Sequence, residues 1–280
     1  MTRRIAVCNQ KGGVGKTTTS VNLAAALARR AGRTLLVDLD PQAHATLGLG
    51  VDRSTLGASV YHALAEAQRV ESAILPDRSR GLDLLPAAID LAAAEVELVD
   101  TEGRESRLDR ALGLIDRHYR FVVIDCPPSL GILTLNGLVA AHGVLVPVQA
   151  EYYALEGIAR LLDTIKLVRH GPNPALEVEG VLLTMFSSRL NLARQVAEEV
   201  RDYFGEAVFE TVVPRSVRLA EAPSFGQPIL DYDPGSPGAL AYLAVAEELV
   251  ARSRASLPMV REEAYVPQPA APDGRPEVQA

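Results

Sequence analysis

The chain has no tryptophan and, among its 280 residues, only two cysteines and three methionines. Two cysteines without C-x-x-C spacing exclude the usual zinc sites, and we expect Cys8 and Cys126 to be buried, reduced thiols. There is no hydrophobic leader, and no apolar run approaches the roughly 18 residues of a membrane-spanning helix. The composition therefore predicts a cytoplasmic protein rather than a secreted or membrane-spanning one.

An excess of positive charge is also missing. The net charge of −7 argues against a protein that coats nucleic acid over its whole surface, although a local basic patch is compatible with it. The length is enough for one large α/β domain, which we place at residues 1–254. Residues 255–280 are rich in proline and lack periodicity, which predicts a disordered tail.

Apolar strand-like runs alternate with helical patterns along the chain. This alternation predicts an α/β fold, with a mainly parallel twisted sheet covered by helices on both faces. In such sheets ligands bind beyond the carboxyl ends of the strands. The predicted strands are 5–8, 34–38, 82–85, 121–125, 143–148, 178–185 and 208–213. The predicted helices are 20–30, 59–68, 87–100, 106–116, 133–141, 152–169, 192–204 and 238–254, and residues 43–57 are predicted to form a loop.

The first strand is followed by a glycine-rich stretch, residues 10–18, which we call the phosphate loop. Its glycines allow successive backbone N–H groups to turn toward an anion, and a helix follows at once. Lys16 is placed for the β- and γ-phosphates, and the Thr17 hydroxyl for Mg²⁺. The usual pattern has glycine at position 10, where this chain has Gln10, and a second lysine, Lys11, follows. The loop predicts a nucleotide phosphate site without distinguishing ATP from GTP.

Three acids are predicted at the same edge of the sheet. Asp125 ends a strongly apolar strand, as does an aspartate that holds Mg²⁺ directly or through water. Asp38 and Asp40 are two residues apart, so in an extended segment both point to the same side. Either could orient the attacking water or bind Mg²⁺ through water. We favour Asp40, which lies further toward the loop, and expect Asp38 to support the site, with pairing to a lysine left open.

Several longer stretches resemble the ParA/MinD family of ATPases with a deviant Walker A motif. Residues 11–18 are similar to that motif, residues 36–42 to the family's next motif, and residues 123–129 to its Walker B motif. Residues 147–157 and 213–224 resemble the chromosomal ParA (Soj-like) branch. The match spans residues 3–252 and implies a P-loop NTPase architecture of MinD-like type.

The resemblance implies a Mg²⁺-dependent ATPase that forms an ATP-sandwich homodimer. Lys11 would reach across to the partner's nucleotide, and Gly12 would lie where the two loops meet. The implied catalytic residues are Lys11, Lys16 and Asp40, and the implied metal ligands are Thr17, Asp40 and Asp125. The implied nucleotide contacts are Lys11, Gly12, Gly13, Val14, Gly15, Lys16, Thr17 and Thr18, with Met185, Phe186 and Pro214 near the adenine.

The same resemblance implies that the ATP dimer binds nonspecific double-stranded DNA. The matching arginines are Arg189 and Arg218, with Arg215 and Arg194 as neighbours. A ParB-like centromere-binding protein would stimulate hydrolysis and release the dimer, which would be associated with the nucleoid. Between Arg189 and Arg218 five arginines stand against five acids, so a solvated surface of mixed charge remains an alternative.

Other functions of related ATPases fit the sequence less well. A MinD-like ATPase on a membrane needs a C-terminal amphipathic helix, which the five prolines of the tail disfavour. A nitrogenase-iron-protein-like reductase would need cysteines at the positions that bind its metal cluster. A tyrosine kinase of the same superfamily would need a tyrosine-rich tail. A relative that positions another cargo stays open. Ala43-His44 and Ser187-Ser188 depart from the family's pattern, and His44 is most simply a solvated loop residue.

Overall fold

The computed structural model describes residues 2–77, 80–151 and 154–255. The predicted tail beyond residue 255 and the first two residues of the predicted helix 152–169 lie outside these ranges. Within the described part, no helix is long and apolar enough to cross a membrane.

Six parallel strands form one sheet in the order β3-β2-β4-β1-β5-β6. The predicted α/β class and parallel sheet are therefore confirmed. The strands are β1 (Arg3–Val7), β2 (Thr34–Asp38), β3 (Leu82–Leu85), β4 (Phe121–Asp125), β5 (Gly143–Gln149) and β6 (Glu177–Thr184). The register aligns Val7 and Asp38 with Asp125, so the ends of three strands meet at one edge.

Helices cover both faces of this sheet. They are α1 (Lys16–Arg30), α2 (His44–Gly48), α3 (Val60–Ala65), α4 (Val70–Ala73), α5 (Leu91–Glu97), α6 (Arg107–Ile115), α7 (Ile132–Ala140), α8 (Ala154–Arg169), α9 (Asn191–Phe204), α10 (Val217–Glu221), α11 (Ile229–Tyr232) and α12 (Pro237–Ala255). Alternate strand residues enter two cores, because successive side chains of a strand point to opposite faces. Ile5 and Val7 belong to the core under α1 and α12, whereas Ala6 and Cys8 belong to the core under α6, α7 and α8.

The predicted seventh strand, 208–213, is wrong. This segment touches the edge strand β6 only at separate points, where Phe209 N donates to Val181 O and Val213 N donates to Leu183 O, each at 2.9 Å. Between them, the backbone N–H groups of residues 210 and 211 donate to the carboxylate of Glu248 on α12. The carboxylate thus takes the donors that a continuous ladder would need.

The predicted loop 43–57 contains the short helix α2, so this prediction is also wrong. The Asp38 carboxylate accepts both the backbone N–H of Thr46, at 2.8 Å, and its hydroxyl, at 2.7 Å. A buried acid at the end of β2 therefore organises a turn that hydrophobic periodicity does not reveal. Ala43, which precedes the helix, adopts a left-handed conformation with φ 57°.

Candidate functional site: a phosphate loop at the carboxyl edge of the sheet

The phosphate loop connects β1 to α1 at the carboxyl edge of the sheet. Gly13 and Gly15 have φ values of 75° and 85°, a region that glycine adopts without steric cost. Asn9 braces the loop, since its amide donates to Pro147 O at 2.7 Å and its oxygen accepts from Lys11 N at 3.0 Å. On the other side, the Thr184 hydroxyl donates to Val14 O at 2.8 Å. Neither bracing residue was identified from the sequence.

Lys16 is the buried cation of this site. It is only 8% exposed, and its ammonium donates to the carbonyl oxygen of Lys11 at 3.1 Å. Burial lowers its pKa, while the nearby Asp125 carboxylate acts in the opposite direction. A lysine held among backbone groups and acids at a glycine loop is suited to bind phosphate oxygens.

Asp125 is fully buried at the end of β4. Its Oδ1 accepts from the Ser20 hydroxyl at 2.7 Å, and the Thr17 hydroxyl is close enough to this carboxylate to lower its pKa. Its Oδ2 is buried without a hydrogen-bond partner among the described residues. Burial, followed by the charge of Asp38, raises the pKa of Asp125. An orphaned carboxylate oxygen beside a threonine hydroxyl fits a hard cation such as Mg²⁺, which prefers oxygen ligands.

The two acids after β2 have different surroundings. Asp38 is fully buried and its carboxylate accepts from Thr46 and from Asp40 N, so in the described structure it is not paired with a lysine. Burial raises the pKa of Asp38. Asp40 is 8% exposed, and its Oδ1 accepts only the backbone N–H of Gln42, at 2.9 Å. The hydrogen bonds of Asp38 stabilise the fold, whereas the Asp40 carboxylate can still accept further hydrogen bonds at the carboxyl edge of the sheet.

Lys11 and Gly12 lie at the outer side of the loop. The Lys11 ammonium forms an ion pair with Glu151, whose Oε2 is 2.9 Å away. Gly12 is exposed, and a β-carbon built on it would meet no atom within 4 Å. No contact with the residues that the structure describes therefore requires glycine at position 12. Thr18 is half-buried beside them, and its carbonyl accepts from the Asn22 amide at 2.8 Å.

The residues assigned to the adenine lie together beside the loop. Phe186 and Pro214 form an isolated parallel bridge. Met185 has a positive φ of 49° directly after β6, and its Cε would be 3.6 Å from a β-carbon on Gly15. The structure thus brings Met185 and the Phe186–Pro214 bridge to the same side of the phosphate loop.

The arginines assigned to DNA are all exposed, but their surroundings differ. Among the described residues, the side chains of Arg189 and Arg215 have no hydrogen bond or ion pair, and Arg215 N donates to Phe186 O at 3.2 Å. Arg218 on α10 instead pairs with Glu221 at 3.0 Å and with Asp233 at 3.4 Å. Arg194 on α9 donates to Asn191. Arg194 and Arg201 are seven residues apart and share one side of α9, while Glu198, Glu199 and Asp202 lie to one side of them.

Helix α1 links the loop to the C-terminal helices. The Thr19 hydroxyl lies 3.1 Å from the Tyr242 hydroxyl, in the buried contact with α12. The oxygen of Asn22 accepts from Ile229 N, at the start of α11, at 2.7 Å. His44 is exposed on α2, as a solvated residue would be, and no cluster of three or more metal-ligating side chains of His, Cys, Asp or Glu occurs in the described ranges. Cys8 and Cys126 are free and buried, as expected.

Comparison with known proteins agrees with this geometry. A sequence model of the AAA domain matches residues 2–178. The chromosome partitioning protein ParA of Myxococcus xanthus is 53% identical over 259 residues, covering 92% of each chain. The sporulation initiation inhibitor protein Soj of Bacillus subtilis is 53% identical over 251 residues, covering 90% of this chain and 99% of Soj.

Among solved structures, cobyrinic acid a,c-diamide synthase of Mycobacterium smegmatis with a bound ATP analogue and magnesium superposes with a TM-score of 0.81. It is 41% identical, and the match covers 92% of this chain and 98% of that one. A parallel sheet with a glycine loop, a buried lysine and an acid on the adjacent strand defines a P-loop nucleotide-binding protein. Within that class, the chain belongs to the ParA/Soj family of chromosome-partitioning ATPases, as its motifs indicated.

Proposed function

We propose that this chain is a Mg²⁺-dependent ATPase that couples the nucleotide state to DNA binding and thereby partitions chromosomes. The unpartnered Oδ2 of Asp125, beside Lys16 and the Thr17 hydroxyl, carries this proposal. Lys16 and the N–H groups of the phosphate loop hold the phosphates of ATP, and Thr17 and Asp125 hold Mg²⁺, with Asp40 contributing through water. The bound cation offsets the charge that develops on the phosphates. The M. smegmatis relative holds an ATP analogue and magnesium.

Asp40 is the residue proposed to orient the attacking water. Its free acceptor capacity and its position at the carboxyl edge support this role, whereas the hydrogen bonds to Asp38 support a structural one. Lys11 completes the site from a second copy of the chain, because a cation that arrives in trans stabilises charge on the γ-phosphate only when two subunits meet. The open space around Gly12 supports an interface at this point.

DNA is the proposed partner of the assembled dimer. Arg189 and Arg215 have no competing carboxylate among the described residues, and Arg218 lies on the neighbouring helix α10. Phosphate contacts of two subunits add up, so one subunit alone binds weakly. We propose that a ParB-like protein stimulates hydrolysis and returns the protein from the nucleoid to the cytoplasm, and that replicated chromosome origins are the cargo.

DNA binding measured with ATP, with ADP and without nucleotide, over a series of salt concentrations, tests this function. We expect binding of a random-sequence duplex only with ATP, and log affinity that falls linearly with log salt concentration. Equal DNA binding in all three nucleotide states would contradict the proposal that the nucleotide state controls DNA binding. Binding that does not change with salt would rule out an arginine–phosphate interface.

Two variants separate the parts of this function. Gly12→Val should fold and bind ATP, because a β-carbon at position 12 meets no atom of the described residues within 4 Å, but it should neither dimerise nor bind DNA. Arg218→Glu should dimerise with ATP but bind DNA at least about tenfold more weakly, since it replaces an attractive charge by a repulsive one. A wild-type DNA affinity for Arg218→Glu at the same salt concentration would place the DNA surface elsewhere.

A further inference from the structure

The backbone of Lys11 is fixed, while its side chain has room to move. Its N–H donates to Asn9, and its carbonyl accepts from Lys16 at 3.1 Å, so both backbone groups are bound within the loop. The side chain is 34% exposed. Any change of partner for Lys11 therefore involves rotation of its flexible four-carbon stem and not a rearrangement of the phosphate loop.

The partner of this side chain is Glu151, 140 positions away in the sequence. Glu151 follows β5, the neighbour of β1, and its Oε2 lies 2.9 Å from Lys11 Nζ. Its side chain is 49% exposed. Both groups are at the outer side of the carboxyl edge, so the pair faces solvent and any molecule that approaches the loop.

An ion pair of this exposure is weak. Exposed pairs contribute about 0–1 kcal/mol, because water and salt screen the charges and two flexible side chains lose freedom. Such a pair adds little to the stability of the fold, but it biases where a lysine points. A bias of about 1 kcal/mol corresponds to about a fivefold change in an equilibrium constant.

We propose that Glu151 is a positioning residue that holds Lys11 within its own subunit and thereby sets the threshold for ATP-dependent dimerisation. The inference rests on the proposed function, in which Lys11 binds the partner's nucleotide. In this proposal, Lys11 leaves Glu151 when it reaches the phosphates of a second subunit. Dimerisation must therefore exchange a carboxylate for a more highly charged phosphate group, and Glu151 opposes pairing until ATP supplies that group.

The test is the dimer dissociation constant of Glu151→Gln with a non-hydrolysable ATP analogue, measured by analytical ultracentrifugation. We expect dimerisation about two- to fivefold tighter than in the wild type, and the gain should shrink at about 0.5 M salt, where the wild-type pair is already screened. The matched control is Glu66→Gln, the same change at an exposed glutamate between α3 and α4 whose side chain makes no hydrogen bond to the described part of the chain. The control should dimerise like the wild type.

A double-mutant cycle with Lys11→Met makes the test specific. If Glu151 acts through Lys11, Glu151→Gln should have no effect on the residual self-association of the Lys11→Met protein. An equal gain in both backgrounds would overturn the proposal, as would unchanged dimerisation in the single variant. Weaker dimerisation of Glu151→Gln would also overturn it, because the carboxylate would then support the assembled site.

Amine labelling of Lys11 in the nucleotide-free protein, followed by mass spectrometry, measures the ion pair apart from dimerisation. Lys11 should be labelled about two- to fivefold faster in Glu151→Gln than in the wild type or Glu66→Gln. Equal labelling would overturn this inference and leave the proposed function intact. A wild type that does not dimerise with ATP would instead overturn the proposed dimer, and the inference with it, whatever the labelling.

Discussion

Buried charged side chains have opposite surroundings at the two ends of the sheet. At the amino end, each buried charge has a partner of opposite sign. Arg4 contacts Asp116 at 2.7 Å and Asp109 at 2.6 Å, and Glu179 accepts from Arg3 at 2.6 Å. At the carboxyl end, Asp40 and Asp125 share one nearby lysine, Lys16, and the charge of Asp38 acts on Asp125. No arginine pairs with any of these three acids in the described structure.

Backbone strain also differs between the amino end and the carboxyl end of the sheet. Ala43 and Met185 are the non-glycine residues with positive φ within the described ranges, and both lie at the carboxyl end. Positive φ costs about 1–2 kcal/mol for residues with a β-carbon. One end of the sheet is thus optimised for stability, whereas the other keeps raised carboxylate pKa values, an unpartnered oxygen and strain. Such features concentrate at sites that bind and react.

Removal of the Lys16 ammonium should have the largest effect. Lys16→Ala should weaken ATP binding at least about 100-fold, because a buried charge that holds phosphate is lost and Asp40 and Asp125 lose their nearby cation. Calorimetry or a fluorescent ATP analogue measures this loss. Lys166→Ala, on α8, is the control and should bind ATP normally. Retained affinity in Lys16→Ala would contradict the assignment of the phosphate site.

The two acids after β2 should separate catalysis from stability. Asp40→Ala should lower the rate of ATP hydrolysis about 100-fold and leave ATP-dependent dimers intact, because a water-orienting group is lost. Asp38→Ala should instead lower the free energy of unfolding by about 2 kcal/mol, since the N–H and hydroxyl of Thr46 lose their acceptor. Steady-state turnover and urea unfolding distinguish them. Unchanged turnover in Asp40→Ala would remove it from the water-orienting role.

Removal of a charged side chain at the amino end of the sheet should affect the stability of the fold alone. Arg4→Ala should lower the free energy of unfolding by about 2 kcal/mol, because a 4% exposed residue loses its packing and Asp116 loses its partner. Partial exposure of the two acids keeps the loss below that of a fully buried pair. ATP affinity should stay at the wild-type value. A large loss of ATP affinity in the folded variant would contradict the functional separation of the two ends.

The smallest effect is expected at a strained alanine. Ala43→Gly should change the free energy of unfolding by less than about 1 kcal/mol, because relief of positive φ offsets the lost methyl group and the greater freedom of the unfolded chain. Ala26→Gly, at an equally buried position inside α1, should destabilise by about 2 kcal/mol, since no strain is relieved. Equal losses in thermal or urea unfolding would show that Ala43 is unstrained.

The fold was largely predictable because the strands of this sheet are almost completely buried. Runs such as Phe121–Asp125 are buried at every position, so the hydrophobic pattern alone marks them. The same rule failed at residues 208–213, where four of the six residues are apolar. There the carboxylate of Glu248, on a helix distant in the sequence, takes the backbone donors, and such a competitor cannot be read from a local window.

The site was predictable where its residues follow a fixed local spacing. The phosphate loop and its lysine fall within nine consecutive positions. Asn9, Ser20, Glu151 and Thr184 were missed in their present roles because each of them acts on a partner more than 100 positions away. Ser20 was nearest to detection, since it lies one helical turn after Lys16 and Thr17, on their side of α1.

Helix α1 has a mechanical consequence for the whole protein. It begins at the phosphate lysine, is joined to α12 through Thr19, and holds the start of α11 through Asn22. Both hydrogen bonds are buried, so rotation of α1 must either break them or carry its neighbours along. The helix therefore ties the position of the phosphate loop to that of α11 and α12, the segment that follows Arg218 in the sequence.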